Sequence, residues 1–450
     1  METAFKKIHP HLPLFRISGN GKAIFYVPGK LLVLNPKEAD ILEEVLRAGV
    51  SREDEGQFHP NIIALLARAR EAGKQWAALG EKPFSPECLT VYPSNDCNLD
   101  CRYCYTRKSS AAAQEGGNGV IDLQIVRAAA RRVAGNCRKK GATFALVVHG
   151  GGEPTYHWSF LQQLYQTVRQ IAADADVPFF SYIATNGIIK PAQARWLAAH
   201  FDVIGLSCDG PPDIQDRQRP THNRRRTSEI LAQAAAAIRQ AGGHLEVRAT
   251  VLPGTVHRLP ESVAYFIHEL GAAHIRIEPV YGDRAPVFMP VEAGWFVEHF
   301  LEAQQAALNA GCEVTISGVR LPEVHGPYCD VLRDTLRLTP GGTATSCFYE
   351  VDGDAAHIAE NAIGRYDAPT GRFRIDAGKV AAARAKALAL PEACRDCINI
   401  YHCARGCPDY CPLAADSSVA GGREHLNRFR CQMQVQLTLR WIARLAEQVG

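Results

Sequence analysis

Three cysteines fall within eight residues of this 450-residue chain, as Cys97-x3-Cys101-x2-Cys104. A tetrahedral zinc site needs four ligands, so this loop alone cannot complete one. Three thiolates on one tight loop can instead hold three irons of a [4Fe–4S] cube and leave the fourth iron open to a further ligand. Two alternatives stay open at this point: a zinc site with a distant fourth ligand, or buried thiols that bind no metal.

The composition is that of an ordinary globular protein, with 46% hydrophobic and 22% charged residues. A net charge of +3 gives no strong preference for nucleic acid or an anionic membrane. The first ten residues contain no apolar run, so they do not resemble a secretory signal, and no stretch is long enough to span a bilayer. Fifteen cysteines in a chain without an export signal favour metal ligation over disulfides, and we expect a cytoplasmic location.

Between about residues 86 and 310, short apolar runs alternate with amphipathic stretches. Such alternation predicts parallel βαβ units and a partial (β/α)6 barrel. The predicted strands are 89–92, 144–148, 179–183, 203–206, 245–251 and 275–277. Active sites of barrels of this kind lie at the carboxyl ends of the strands.

Polar clusters follow these strands at that same end. The three-cysteine loop follows the first strand, and the others are 149–155 (His-Gly-Gly-Gly-Glu-Pro-Thr), 185–187 (Thr-Asn-Gly) and 207–210 (Ser-Cys-Asp-Gly). Arg248 lies within the fifth strand, and Glu278 ends the sixth. Because the clusters occupy equivalent positions, we expect them to line one cavity.

The three-cysteine loop with Tyr103, together with Gly-Gly-Glu-Pro after a buried strand, resembles the radical S-adenosylmethionine (SAM) superfamily. The resemblance implies that Cys97, Cys101 and Cys104 hold a catalytic [4Fe–4S] cluster, whose open iron chelates SAM. One electron then splits SAM into methionine and a 5′-deoxyadenosyl radical.

We assign a use around SAM to each polar cluster. Glycine lets backbone approach a ligand, a carboxylate suits the methionine ammonium, and guanidinium matches the methionine carboxylate. The candidate residues are Gly151 and Gly152 for close approach, Glu153 for the ammonium, Arg248 for the carboxylate, Ser207 and Asp209 with nearby Asn186 for the ribose, and Tyr103 for adenine.

A second cysteine set, Cys394-x2-Cys397-x5-Cys403-x3-Cys407 with a later Cys431, follows the predicted barrel. With upstream Cys329 and Cys347 it resembles the seven-cysteine SPASM signature, which is found on radical SAM enzymes that modify peptides and proteins. A zinc knuckle is the alternative, but it would use four of these cysteines and leave the others unexplained.

The SPASM resemblance implies two auxiliary [4Fe–4S] clusters within a domain over 311–450. One would be bound by Cys394, Cys397, Cys403 and Cys431, and the other by Cys329, Cys347 and Cys407. The fourth ligand of the second cluster is uncertain, and Cys312 is the nearest upstream candidate.

Residues 1–85 read as three short strands followed by helices, a small α+β segment. They resemble leader-peptide recognition domains, which take a peptide as an added strand, or they form a cap on the barrel. A basic run, Arg217, Arg219 and 224–226, is interpreted as a solvated loop, with steering of an acidic peptide as the alternative.

The fold class expected is therefore α/β, a partial barrel with an N-terminal α+β segment and a C-terminal iron–sulfur SPASM domain. The function expected is a radical SAM oxidoreductase that matures a ribosomally made precursor peptide, with flavodoxin or ferredoxin as reductant and no nucleic-acid or membrane partner. An anaerobic sulfatase maturase is the alternative enzyme. From another class, a multi-cluster electron carrier or a zinc-binding protein is possible.

Overall fold

The structure is a computed structural model and describes residues 4–19, 21–48, 57–104, 119–280, 286–327, 329–347, 361–403 and 424–449. Among these residues, no helix is long and apolar enough to cross a membrane.

The N-terminal segment forms a four-stranded antiparallel sheet in the order β1-β2-β3-β4, followed by two helices. The elements are β1 (Ala4–Lys7), β2 (Phe15–Gly19), β3 (Lys22–Val27), β4 (Lys30–Leu34), α1 (Pro36–Ala48) and α2 (Pro60–Glu81). The prediction of strands followed by a helix is confirmed, but β1 was missed because its four residues, Ala-Phe-Lys-Lys, carry a single large apolar side chain.

The N-terminal sheet is apolar on both faces, because side chains alternate across a strand. Phe25 and Val27 belong to the core shared with the helices. Phe15 and Tyr26 belong to a second core, which includes Tyr401. The segment is therefore packed against the C-terminal cysteine region.

The rest of the strands form one eleven-stranded sheet in the order β11-β10-β9-β8-β7-β6-β5-β12-β13-β14-β15. Neighbours from β11 through β12 pair in parallel, and the last three strands are antiparallel. The strands are β5 (Cys88–Val91), β6 (Phe144–Val148), β7 (Phe179–Thr185), β8 (Val203–Ser207), β9 (Leu245–Val251), β10 (His274–Pro279), β11 (Glu313–Thr315), β12 (Thr335–Leu338), β13 (Ala344–Thr345), β14 (Ala362–Asp367) and β15 (Arg372–Ile375).

Helices connect and cover these strands. They are α3 (Leu123–Lys140), α4 (Trp158–Asp174), α5 (Pro191–His200), α6 (Pro212–Gln218), α7 (Ser228–Gln240), α8 (Leu259–His268), α9 (Ala293–Asn309), α10 (Ala377–Leu388) and α11 (Glu424–Val449), with 3₁₀ turns at Pro253–Arg258, Pro290–Glu292 and Glu392–Cys394. Helix α3 shows how the sequence sets an element: the Asp122 carboxylate accepts the Gln124 N–H at 2.8 Å, and left-handed Gly141 ends the helix.

The predicted partial barrel is confirmed as an open, largely parallel sheet with helices. All six predicted strands are present, and two of them, β6 and β9, have the predicted bounds. The parallel part also extends beyond the prediction, since β11 adds to β10 and β12 adds to β5. The predicted boundary at residue 310 therefore falls inside a continuous sheet.

Strand β9 shows the two faces of this sheet. Leu245, Val247 and Val251 are buried in the main core, whereas Arg248 and Thr250 are half-buried on the opposite face. Polar residues of β9 thus lie on the face away from the apolar core.

Candidate active site

The three-cysteine loop follows β5 and is held by the segment after α6. The Asp100 N–H donates to the Pro220 carbonyl at 2.8 Å, and the Arg102 N–H donates to the Gln218 carbonyl at 3.1 Å. An isolated β-bridge joins Leu99 to residue 221 of the same segment. We call residues 218–222 the strap. It gives the cysteine loop a fixed backbone conformation along one side.

The thiols of this loop lie in a desolvated setting. Burial raises the pKa of Cys97 to about 12, and the Glu153 carboxylate adds to that rise. Burial raises the pKa of Cys101 to about 11. Both thiols are therefore protonated near neutral pH in the metal-free chain, and binding of metal must displace those protons.

Two donors point at the sulfur of Cys97. The Leu99 N–H donates to Sγ at 3.4 Å, and the Asn186 side-chain amide donates to it at 3.8 Å. Donors of this kind stabilise a thiolate rather than a thiol. Together with the spacing of three thiols on one loop, they fit a [4Fe–4S] cluster on Cys97, Cys101 and Cys104.

The glycine run after β6 packs directly under the start of the cysteine loop. A Cβ on Gly150 would lie 2.3 Å from the Tyr92 ring, one on Gly151 would lie 2.6 Å from the Ser94 carbonyl oxygen, and one on Gly152 would lie 1.9 Å from the Asp96 carbonyl oxygen. The sequence interpretation assigned this closeness to a bound ligand. In the structure, the chain's own cysteine loop makes the approach.

Backbone hydrogen bonds lock the two segments together. The Gly152 N–H donates to the Ser94 carbonyl at 2.8 Å, and the Glu153 N–H donates to the Asp96 carbonyl at 2.7 Å. The glycine turn and the cysteine loop are thus one unit, which explains why both motifs occur at the same sheet edge.

Glu153 is buried and joins two strand ends. Its Oε1 accepts the Thr155 N–H at 3.0 Å and the Thr155 and Thr185 hydroxyls at 2.7 Å each, and its Oε2 accepts the Asn186 N–H at 2.7 Å. Burial raises the pKa of Glu153, and these donors oppose the rise. Three bonds occupy Oε1, so Oε2 is the oxygen with capacity left for a ligand ammonium.

Asn186 connects the end of β7 to the cysteine loop. Its side-chain Nδ2 donates to Oδ1 of Asn98 at 2.7 Å. Its own Oδ1 accepts the Ile188 N–H at 3.0 Å. The residue predicted to lie near a ribose therefore also positions the loop that carries the cysteines.

Asp209 and Tyr103, predicted as ribose and adenine contacts, bind each other. The Tyr103 hydroxyl donates to Asp209 Oδ2 at 2.6 Å, and the Thr250 N–H donates to Oδ1 at 3.0 Å. Burial raises the pKa of Asp209, and Arg219 is the main group opposing that rise. A carboxylate has about four acceptor positions, so two remain for another ligand.

The interpretation of the basic run as a solvated loop is wrong for Arg219. Its side chain is 12% exposed, and Nη1 lies 3.6 Å from Asp209 Oδ1. Exposed Arg217 and residues 224–226 do fit that interpretation. His222, in the strap, contacts the Cys97 carbonyl oxygen through Nε2 at 2.9 Å, which the sequence pattern also did not indicate.

Ser207 and Arg248 lie opposite each other on the polar face, as register partners on β8 and β9. Gly205 leaves room there, since a Cβ would meet the Tyr182 hydroxyl at 2.0 Å and Arg248 Cδ at 3.2 Å. Among the described residues, the Arg248 guanidinium has no ion-pair partner. It is therefore a cation available to an anionic ligand.

The C-terminal cysteines fall in separate stretches of the described chain. Cys394 and Cys403 are buried, and the Cys403 thiol donates to Gln434 of α11 at 2.9 Å. Cys347 is buried, Cys329 and Cys397 are half-buried, and Cys431 is exposed. Cys407 lies outside the described residues. The two auxiliary ligand sets stay predictions.

Cys312 lies in the main apolar core at the start of β11. Its thiol donates to the carbonyls of Ala272 and Ala273, at 3.5 and 3.6 Å. These contacts give Cys312 a packing role, and the structure adds no support for its predicted role as a cluster ligand.

His149, before the glycine turn, is held neutral. Burial lowers its pKa well below the ordinary value, and the guanidinium groups of Arg248, Arg337 and Arg276 lower it further. His149 is half-buried and directly follows β6, at the sheet edge that carries the glycine turn.

Acidification is therefore expected to destabilise the protein through His149. Its folded pKa is depressed, so below its unfolded pKa of about 6.5 the unfolded chain binds one more proton than the folded chain. The free energy of unfolding then falls by up to about 1.4 kcal/mol per pH unit from this group. Urea unfolding at several pH values below neutrality measures this slope. The variant His149→Phe should show a smaller pH dependence of the unfolding free energy than wild type. The variant His268→Gln, at an exposed histidine, is the control and should keep the wild-type pH dependence. A wild-type pH dependence in His149→Phe would contradict the assignment.

Residues 91–265 match the model of the radical SAM superfamily. The matched residues include the cysteine loop, the glycine turn, Asp209 and Arg248.

Sulfatase-maturating enzymes are among its relatives. A serine-type anaerobic sulfatase-maturating enzyme of Klebsiella aerogenes is 24% identical over 72% of this chain and 80% of that protein. A cysteine-type enzyme of Clostridium perfringens is 25% identical over 40% of this chain and 48% of that protein. The solved structure of native anSMEcpe with bound AdoMet and Cp18Cys peptide has a TM-score of 0.61 at 18% identity, covering 81% of this chain and 99% of that one.

Proposed function

We propose that this protein is a radical SAM oxidoreductase that matures a ribosomally made precursor peptide. The observation that carries the proposal is the joining of the cysteine loop and the Gly-Gly-Glu-Pro turn into one unit, at 2.7 and 2.8 Å between backbone atoms. A [4Fe–4S] cluster held by Cys97, Cys101 and Cys104 would supply the electron for cleavage of SAM into methionine and a 5′-deoxyadenosyl radical, which would abstract hydrogen from the peptide. Auxiliary clusters held by the C-terminal cysteines would accept the electron released as product forms.

The residues of this chain position SAM beside the cysteine loop. Glu153 Oε2 receives the methionine ammonium, and Arg248 pairs with the methionine carboxylate. Ser207 and Asp209, with Asn186 nearby, hold the ribose, while the Tyr103 ring packs on adenine. The free acceptor positions on Glu153 and Asp209 and the unpaired guanidinium support these roles.

Arg248→Met is expected to weaken SAM binding about 10- to 100-fold, because a charge-assisted pair contributes roughly 1.5–3 kcal/mol. Equilibrium binding of SAM to the reconstituted protein measures the change. Arg217→Met, an exposed arginine outside the cavity, is the matched control and should bind like wild type. Equal affinity in wild type and Arg248→Met would remove Arg248 from the site.

The preference for a precursor peptide rests on the N-terminal segment. The sheet of β1–β4 lies outside the superfamily match, which begins at residue 91. Strand β1 pairs with β2 on one side and is half-exposed. Among the described residues no strand pairs with its other side, so a peptide could add there as a further strand.

Formylglycine formation on a sulfatase is the second candidate, favoured by the names of the relatives. That reaction needs a protein base beside the substrate carbon, and no residue of the described chain is assigned to it. A neighbouring gene for a short Cys-, aromatic- or Gly-rich peptide favours the first candidate, and a neighbouring sulfatase gene favours the second.

The deciding experiment supplies each candidate substrate to the reconstituted enzyme with SAM and a reduced flavodoxin or ferredoxin. A crosslinked or oxidised precursor peptide loses two hydrogens and becomes about 2 Da lighter, with 5′-deoxyadenosine formed in step. Formylglycine formation on a sulfatase peptide alone, with no change to the precursor, overturns the preferred substrate but leaves the radical mechanism standing.

A further inference from the structure

Arg219 is a largely buried cation, 12% exposed, that lies beside the cysteine loop and Asp209. Its Nη1 lies 3.6 Å from Asp209 Oδ1, and its Cζ lies 5.7 Å from the centre of the Tyr103 ring. Its Nε is buried and has no hydrogen-bond acceptor among the described residues. A guanidinium held in this way has one donor left over.

The strap carries Arg219 to this position. Its neighbours in the strap, Gln218 and Pro220, accept the N–H groups of Arg102 and Asp100 from the cysteine loop. The hydroxyl of Thr227 also donates to the Arg219 carbonyl at 3.0 Å. The backbone at residue 219 is therefore held against the cysteine loop, and the Arg219 side chain starts from that fixed position.

The positive charge lies beside the cysteine loop. The ring that faces the guanidinium belongs to Tyr103, the residue next to Cys104, and Cζ of Arg219 lies 5.7 Å from the ring centre.

We propose that Arg219 positions the cysteine loop and raises the reduction potential of the cluster that the loop binds. Reduction adds one negative charge to the cluster, and a nearby fixed positive charge stabilises the reduced form. Arginine stays protonated at any working pH, and burial keeps the charge from being screened by salt. The inference rests on the proposed function only in requiring a [4Fe–4S] cluster on Cys97, Cys101 and Cys104.

The test is a potentiometric titration of the SAM-free cluster followed by electron paramagnetic resonance. Arg219→Met should lower the ratio of reduced to oxidised cluster about tenfold at a fixed solution potential, a shift of ~59 mV for one electron. Asp209→Asn, which keeps the shape of the side chain, should shift the potential upward. Arg219→Lys keeps the positive charge, so its cluster should have a reduction potential closer to that of wild type than the cluster of Arg219→Met has.

Opposite shifts separate electrostatics from loosening of the fold. If Arg219→Met and Asp209→Asn move the potential in the same direction, or if neither moves it, the proposed tuning is overturned. Arg217→Met, an exposed arginine of the neighbouring helix, is the control and should leave the potential unchanged.

The positioning role has its own readout in protein without any cluster. Amide hydrogen exchange of the Asp100 and Arg102 N–H groups should be faster in Arg219→Met than in wild type, with Arg217→Met unchanged. Unchanged exchange contradicts the positioning role. Failure of SAM cleavage by the wild-type enzyme would instead count against the proposed function, because these titrations contain no SAM.

Discussion

Replacing Cys97 by alanine is expected to reduce SAM cleavage to background. Cys97 receives two hydrogen bonds, from the Leu99 N–H and the Asn186 amide, and its loss leaves two thiols on a loop that needs three. The measurement is 5′-deoxyadenosine formed from SAM under dithionite, together with iron content. Iron should fall by about four per chain, the content of one [4Fe–4S] cube, if the auxiliary sites still fill.

Cys137→Ala is the matched control for this variant. Cys137 is also buried, in α3, where its thiol donates to the carbonyls of Glu87 and Thr143. Its replacement should cost about 1 kcal/mol of stability and leave both iron content and SAM cleavage unchanged. Full SAM cleavage by Cys97→Ala would remove this loop from the mechanism.

Gly152→Ala is expected to prevent assembly of the site. The added Cβ would lie 1.9 Å from the Asp96 carbonyl oxygen, which is backbone and cannot rotate aside. Relief requires breaking the 2.8 Å bond from the Gly152 N–H to the Ser94 carbonyl, so the cysteine loop must move off the glycine turn. We expect a loss of about 3 kcal/mol in unfolding free energy and loss of SAM cleavage.

Gly135→Ala separates this clash from a general effect of adding a methyl group. Gly135 lies within α3 and has no atom within 4 Å of an added Cβ. Alanine there should stabilise the helix by roughly 0.8–1 kcal/mol and leave activity unchanged. Thermal unfolding and 5′-deoxyadenosine formation test both variants, and a Gly152→Ala protein as active as wild type would contradict the account of the glycine turn.

The sequence was enough to predict the central strands and the position of the motifs. Strand β6 is an apolar run, and strand β9 alternates apolar with polar residues, so the bounds of both could be read directly from the sequence. Strands β1 and β11 were missed because each has only three or four residues, too few to show a period. Their pairing is decided by distant partners, which no local pattern reports.

The site was predicted less completely for the same physical reason. A run of arginines looks solvated, and Arg219 is buried because Asp209 and Tyr103, from other elements, supply its partners. Likewise, a run of glycines can serve a ligand or the chain itself, and only the position of Asp96 decides between them. Contacts between segments far apart in sequence carry this information.

The measurement that tests the central claim most directly is SAM cleavage by the anaerobically reconstituted wild-type protein under dithionite. Our account predicts about twelve irons per chain, from three [4Fe–4S] cubes, and formation of 5′-deoxyadenosine and methionine. Zinc in place of iron, or filled clusters that leave SAM intact, would contradict the radical mechanism and favour a zinc-binding protein or an electron carrier.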